Sequence, residues 1–206
     1  MKQSEKTEIT IEKILTSAEN EFAQKGIYGA RIDAISENAG INKRMIYQHF
    51  GSKEGLYSAV LLRVYNRNYK AEVSVFSQDG VSNFDKVKNL VRQYFYFLKD
   101  DENFVRIIMW ENLNNAEYLI KSHATDVKTP FVKSITKILK DGKEKGEFKK
   151  DISEKQVMLS LIGGAFSYFS NIHTLSVLLD YDMANNENIE KRIEWVSESI
   201  LKQISL

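Results

Sequence analysis

Residues 35–50 read Ile35-Ser-Glu-Asn-Ala-Gly-Ile-Asn-Lys-Arg-Met-Ile-Tyr-Gln-His-Phe50. Just upstream, Ile32 joins Ile35 and Ala39 in an apolar stripe at helical spacing, and Gly40 closes it, because glycine accepts the positive φ of a sharp turn. Asn42 can cap a second segment, Lys43 to Phe50, whose apolar members Ile46 and Phe50 lie one turn apart. Two short helices joined by Ala39-Gly40-Ile41-Asn42 have the spacing of a helix-turn-helix, whose second helix lies in the DNA major groove. An ordinary helical hairpin with a glycine turn has the same spacing and no nucleic-acid role.

The side chains of the second helix favour the first reading. With Ile46 set at 0° and about 100° per residue, Phe50 falls near about 40°, while Tyr47, Arg44 and Gln48 fall near about 100°, 160° and 200°. An apolar edge thus separates from a face carrying a phenol, a guanidinium and an amide, with Lys43 and His49 on its flanks and Met45 at its edge. Such donors read base edges and phosphates. Between Asn38 and Lys53 stand three cations, Lys43, Arg44 and Lys53, and no carboxylate, although residues 1–57 balance eight Lys or Arg against eight Asp or Glu. A solvated helix face with an ordinary Lys-Arg pair is the alternative.

Working outward, Ile11, Ile14, Leu15, Ala18 and Phe22 mark an amphipathic helix that stops at Lys25-Gly26. Downstream, Gly51-Ser52 ends the second short helix, and Ser52 can cap a long one from Lys53 to about Phe76. Past Asp79-Gly80 the spacing predicts helices over roughly Asn83 to Lys99, Asn103 to Ser122, Pro130 to Lys145, Glu154 to Ser170 and Glu187 to Gln203. Pro130 suits a first helical position, and Ser153-x-x-Gln156 is a capping box. Strand-type alternation and internal repeats are absent. The expected fold is all-α: an N-terminal three-helix helix-turn-helix domain, residues 1–57, joined by a long helix to a C-terminal helical domain, residues 58–206.

Composition narrows the function classes. A chain of 206 residues with 43% hydrophobic content and a single proline has the apolar material for packed cores and is not disordered. Without cysteine there is no disulfide, zinc finger or thiol nucleophile, and His49, His123 and His173 stand too far apart in sequence to suggest a metal site. No Gly-x-Ser-x-Gly elbow, His-Glu-x-x-His pair or glycine-rich phosphate loop occurs, so neither an enzyme nor a cofactor is expected. A net charge of +1 means that DNA binding must come from a local patch. The polar N-terminus and the lack of a long apolar run predict a soluble, cytoplasmic protein with no membrane partner.

The stretch Phe22-Ala-Gln-Lys-Gly26, followed by Ile35 through Phe50 and Gly-Ser-Lys-Glu-Gly-Leu56, resembles the N-terminal DNA-binding domain of the tetracycline-repressor (TetR) family. The match runs from about residue 10 to 60, and Ala39-Gly40, Tyr47, His49-Phe50, Ser52-Lys53 and Leu56 carry it. The resemblance implies that Lys43, Arg44, Met45, Tyr47, Gln48 and His49 face DNA and that Lys53 grips a phosphate. Physics agrees for Lys53, whose charge at a helix start adds to free amides and the positive end of the dipole. Two departures stand out. The family usually has a Thr or Ser cap near position 30 and often a basic residue near position 33, whereas this chain has Ala30, Arg31 and Asp33, which leaves Arg31 as the candidate contact there. Arg44 stands where the family often has a small residue, and is expected to read this protein's own operator, through a guanine.

The resemblance assigns two tasks to the C-terminal helices, dimerisation and binding of a small effector. In the helix from Glu154 to Ser170, Ser160, Gly163, Gly164 and Ala165 form a small-residue patch, and Gly163, Gly164 and Phe166 are the expected dimer contacts. Each mid-helix glycine costs about 1 kcal/mol of helix propensity, so a packing reason is required; packing within one chain is the alternative. Tyr94, Phe97, Trp110, Phe166, Phe169 and His173 are the candidate pocket residues and imply an apolar or aromatic effector, although aromatics at helical spacing also build plain cores. The expected function is a sequence-specific, ligand-responsive homodimeric repressor on a palindromic double-stranded DNA operator. The alternative is a helical protein-interaction module that has lost DNA binding.

Overall fold

The computed structural model describes residues 3–76, 80–122 and 130–206, with backbone alone for residues 3, 68–76 and 130–131. Helix α1 runs Gln3–Gly29, but its geometry breaks at Gly26, where φ is 64° and ψ is 177°. After this break come α2 (Ile32–Ala39), α3 (Lys43–Phe50) and α4 (Lys53–Phe76). The described residues form two compact units, one within 1–66 and 103–127, the other within 67–102 and 128–206. The expected boundary at 57/58 lies inside α4, and the unit holding the helix-turn-helix also takes in most of α6 (Glu102–Leu113) and α7 (Glu117–Lys121).

In this first unit the α1 stripe Ile14, Ala18 and Phe22 is fully buried, together with Ile35 of α2, Ile46 of α3 and Leu56, Tyr57 and Val60 of α4. Aromatic rings continue the core toward α6 and α7: Phe22 meets Tyr57 edge-on at 4.9 Å, Tyr57 meets Tyr118 at 5.3 Å, and Tyr65 meets Phe104 at 6.0 Å. These contacts are why 103–127 belongs with the N-terminal helices.

Gly26 is set by two demands at once. Its φ lies in the left-handed region, and a Cβ there would stand 2.7 Å from Cδ2 of Trp110. The indole of Trp110 therefore covers the break in α1, and its Nε1 donates to the Ala23 carbonyl at 3.2 Å.

One long helix over 103–122 is not what forms. Asn115 and Ala116 take φ of 55° and 57°, separating α6 from α7. The Asn114-Asn115 pair explains the break, since asparagine favours turns and tolerates the left-handed region. The side chain of Glu111 then substitutes for the lost helical bonding, its buried Oε2 accepting the Leu119 N–H at 2.9 Å.

The second unit contains α5 (Asn83–Asp100), α8 (Pro130–Glu144), α9 (Glu154–Ser170), α10 (Ile172–Leu178) and α11 (Asn186–Ile204). Helix α5 packs against α8, α9 and α11, with Phe95 at 6.1 Å from Tyr168 and 5.9 Å from Phe169. The cap expected at Ser153 forms, its side chain accepting from the Gln156 N–H, and two caps not expected from sequence join it: Ser82 accepts from Asp85 and Asn185 from Glu187. Helix α10 was not expected, although Ile172, Leu175 and Leu179 recur at helical spacing; it is seven residues long and buries none of them. Among the described residues no strand occurs, only an isolated pairing of Phe148 with Ser205. No described helix is long and apolar enough to cross a membrane.

Substituting Gly26→Ala combines a strained φ with displacement of an indole, and is expected to destabilise the protein by about 2–4 kcal/mol. Urea unfolding followed by far-ultraviolet circular dichroism measures this; an unchanged midpoint would mean that Trp110 yields freely.

Candidate nucleic-acid interface

Helix α2 is short because Gly40 stops it, with φ 64° and ψ 33°. The Gly40 N–H donates to the Glu37 carbonyl at 3.1 Å and the Ile41 N–H to the Ser36 carbonyl at 3.0 Å, the reciprocal pattern of a left-handed helix end. Asn42 then opens α3, its Oδ1 accepting the Arg44 N–H at 2.8 Å. One end of the turn is thus fixed by backbone bonds and the other by the Asn42 side chain, and Ile46, fully buried, sets the rotation of α3 about its axis.

Lys43, Arg44, Met45, Tyr47 and Gln48 are all exposed on α3, the distribution expected from the helical angles. His49 is half-buried, its ring edge-on to Phe50 at 6.3 Å. Lys53 is half-buried at the first residue of α4, with Nζ 3.4 Å from the Tyr28 carbonyl. Arg31 is exposed at the N-cap of α2, where its side chain makes no capping bond. The sequence window 38–53 looked free of acid, but folding brings one in: Asp33 of α2 holds Lys43 at 2.7 Å. The hydrogen bond from Lys43 keeps the Asp33 carboxyl below its ordinary range, and the same bond raises the Lys43 ammonium.

Two buried polar residues that orient the motif escaped sequence reasoning. Ser17 donates from Oγ to the Ile35 carbonyl at 2.9 Å, fastening α1 to the middle of α2. Glu21 accepts the Arg31 N–H at 3.1 Å and the Lys25 ammonium at 2.9 Å, fastening α1 to the start of α2. Burial pushes the Glu21 carboxyl up, but the bonds from Lys25 and Arg31 outweigh it, leaving the group below its ordinary 4.5. The signal was present: Ser17 and Glu21 lie four apart and flank the buried Ile14-Ala18-Phe22 stripe. Arg63 of α4 adds a further tie to α1, pairing with Glu12 at 2.8 Å and Glu19 at 3.2 Å.

The C-terminal candidates separate by location. Tyr94 and Phe97 stack at 6.4 Å on α5, and Phe169 is part of the second unit's core with Phe95. Trp110 belongs to the first unit, over Gly26, and His173 is exposed on α10. Gly164 has an intramolecular reason, since a Cβ would lie 3.0 Å from Val196 of α11, whereas Gly163 is exposed with no atom within 4 Å of that position. Phe166 beside it is half-buried. His123 and the side chain of Phe131 lie outside the described residues.

A capped helix-turn-helix with a donor-rich second helix, followed by a helical second unit, defines a helix-turn-helix DNA-binding regulator. Residues 14–60 match the family profile described as "Bacterial regulatory proteins, tetR family", and residues 84–200 match "Tetracyclin repressor-like, C-terminal domain". The chain belongs to the TetR family of DNA-binding transcriptional regulators. It is 30% identical over 201 residues to the HTH-type transcriptional repressor NicS of Pseudomonas putida, covering 97% of this chain and 94% of the relative. A TetR regulator from Chloroflexus aurantiacus shares its fold at a TM-score of 0.74 and 17% identity, over 98% of this chain and 99% of that one. FadR of Bacillus subtilis, solved with stearoyl-CoA, shares it at 0.70 and 17%, over 90% and 96%.

Because the folded value of Glu21 is depressed, its contribution to stability is present above the unfolded value and is lost as pH falls through the folded one. Glu21→Gln is expected to lower stability by about 1 kcal/mol at pH 7. The gap to the parent should shrink below about pH 4, as urea titrations at the two pH values would read. A gap that widens on acidification contradicts the assignment.

Proposed function

We propose that this protein is a homodimeric repressor that reads an inverted-repeat operator with the exposed face of α3 and is released by a small effector. The observation that carries the reading is the split of α3: Ile46 is fully buried while Lys43, Arg44, Tyr47 and Gln48 project from a helix fixed at both ends. An eight-residue helix is about 12 Å long, the scale of the major groove. Arg44 carries the bidentate donor set that suits guanine O6 and N7, Gln48 the amide that suits adenine, and Lys53 binds a phosphate at the start of α4. Arg31 is a further phosphate contact from the start of α2. Similarity over nearly the whole chain to a repressor supports repression over activation.

Dimerisation is supported by an unfilled stripe on α9. Leu159 and Gly163 are exposed and Phe166 is half-buried, four and three residues apart on one face, with Trp195 of α11 exposed as well. The close Gly164–Val196 approach locks α9 to α11, so the two helices offer one surface to a second copy. A symmetric pair presents two α3 helices to half-sites about 34–36 Å apart. The aromatic lining candidates of the second unit favour an apolar or planar effector, which lowers DNA affinity by binding better to a conformation with the wrong spacing.

Selection from a random duplex library with the purified parent should enrich an inverted repeat. Arg44→Ala and Tyr47→Ala should each bind the enriched duplex about tenfold or more weakly, with unchanged thermal unfolding. Equal affinity in both variants and the parent would refute the reading face.

A further inference from the structure

The cation patch around α3 looks uncompensated along the sequence, yet in space one of its members is already engaged. Lys43 Nζ lies 2.7 Å from Asp33 Oδ1, an ion pair that bridges the first turn of α2 and the first residue of α3. Both partners keep about half of their side-chain surface in solvent, 45% and 54%, so the pair lies on the outside of the motif rather than in its core. An exposed pair of this kind adds little to folding stability. Its physical consequence must therefore be sought in what else approaches that surface.

What approaches it, on the reading above, is DNA. In a helix-turn-helix the first helix crosses the phosphate backbone while the second enters the groove. A carboxylate in the first turn of α2 is then a negative charge beside a polyanion, ionised at neutral pH as any exposed aspartate is. The bond it makes to Lys43 has the same chemistry as the bond a phosphate oxygen would make. On DNA of arbitrary sequence, Lys43 gains little by exchanging one anionic oxygen for another, and the vacated carboxylate is left repelling the backbone. On a site where base contacts by Arg44, Tyr47 and Gln48 are satisfied, those contacts fix where α3 lies and the Asp33–Lys43 pair stays closed, so the carboxylate costs less there than on DNA held by phosphate contacts alone.

We infer that Asp33 is a specificity-determining residue of the DNA interface, which occupies Lys43 as a phosphate would and so weakens the protein's grip on non-operator DNA. The inference rests on the assignment of α3 as the reading helix. Asp33 acts by raising the ratio of specific to non-specific binding, not by adding affinity.

The test uses the full chain with two duplexes, the one selected above and a scrambled duplex of the same composition, titrated by fluorescence anisotropy between 50 and 200 mM salt. In Asp33→Asn the freed Lys43 should make one more phosphate contact. Binding to the scrambled duplex should then tighten several-fold and its logarithmic salt slope should steepen by about 0.9, an extra loss of about 3.5-fold across that salt range. The specificity ratio should fall. In Asp33→Asn with Lys43→Gln, the tightening on scrambled DNA should disappear, because the effect runs through Lys43.

Weaker binding of Asp33→Asn to the selected duplex, with scrambled DNA unaffected, would make Asp33 a direct base contact and overturn the inference. So would unchanged binding to both duplexes with a lowered thermal midpoint, which would make Asp33 only a first-turn acid that stabilises α2. Failure of the parent to prefer either duplex, or full binding by Arg44→Ala, would instead bring down the assignment of α3.

Discussion

The break in α1 at Gly26 is the constraint on which the geometry of the DNA-binding unit turns. A continuous helix through residues 27–31 would carry the chain away from the α1 core stripe. With φ at 64° and the indole of Trp110 lying where a side chain would be, the chain instead reverses and delivers α2 back onto Ser17 and Glu21. Trp110 comes from α6, more than eighty residues downstream, so the helix-turn-helix is completed by chain that is remote in sequence. This is why the compact unit includes 103–127.

Once α2 is placed, α3 has little freedom. Gly40 fixes the turn, Asn42 fixes the first residues, and burial of Ile46 fixes the rotation, so that the polar side chains project as one face. The charge of that face is modest. With a net charge of +1 over the chain, long-range attraction to DNA is weak, and discrimination depends on a few groups in fixed positions. Placing a carboxylate among them is consistent with that economy.

Most of the fold could be read from local signals. The limits of α2, α3 and α9 follow from Gly40, Asn42 and Ser153, because capping depends on residues adjacent in sequence. The exposed face of α3 was legible for the same reason, a period of 3.6 around one apolar anchor. What could not be read depends on tertiary partners. The seat of Trp110 requires a bent α1, and the Asp33–Lys43 pair requires two helices to meet, whereas the α6–α7 break had a local signal in Asn114-Asn115. Helix α10 has a short apolar stripe, Ile172, Leu175 and Leu179, too brief to separate a helix from a loop by period alone. The glycine pair of α9 is plain in the sequence, but its two members differ only through tertiary packing, which sets Gly164 against Val196 and leaves Gly163 in solvent.

The two tryptophans of the chain fall one in each unit, and their surroundings differ sharply. Trp110 is packed over Gly26 with its N–H bonded to a carbonyl, while Trp195 is 67% exposed on α11. The molecule therefore carries its own pair of optical reporters: a bluer, less iodide-accessible emission from the half-buried indole of the reading unit and a red-shifted, iodide-accessible emission from the other. Light from one indole follows the seating of α6 on α1, and light from the other follows whatever covers α11, without any label being attached.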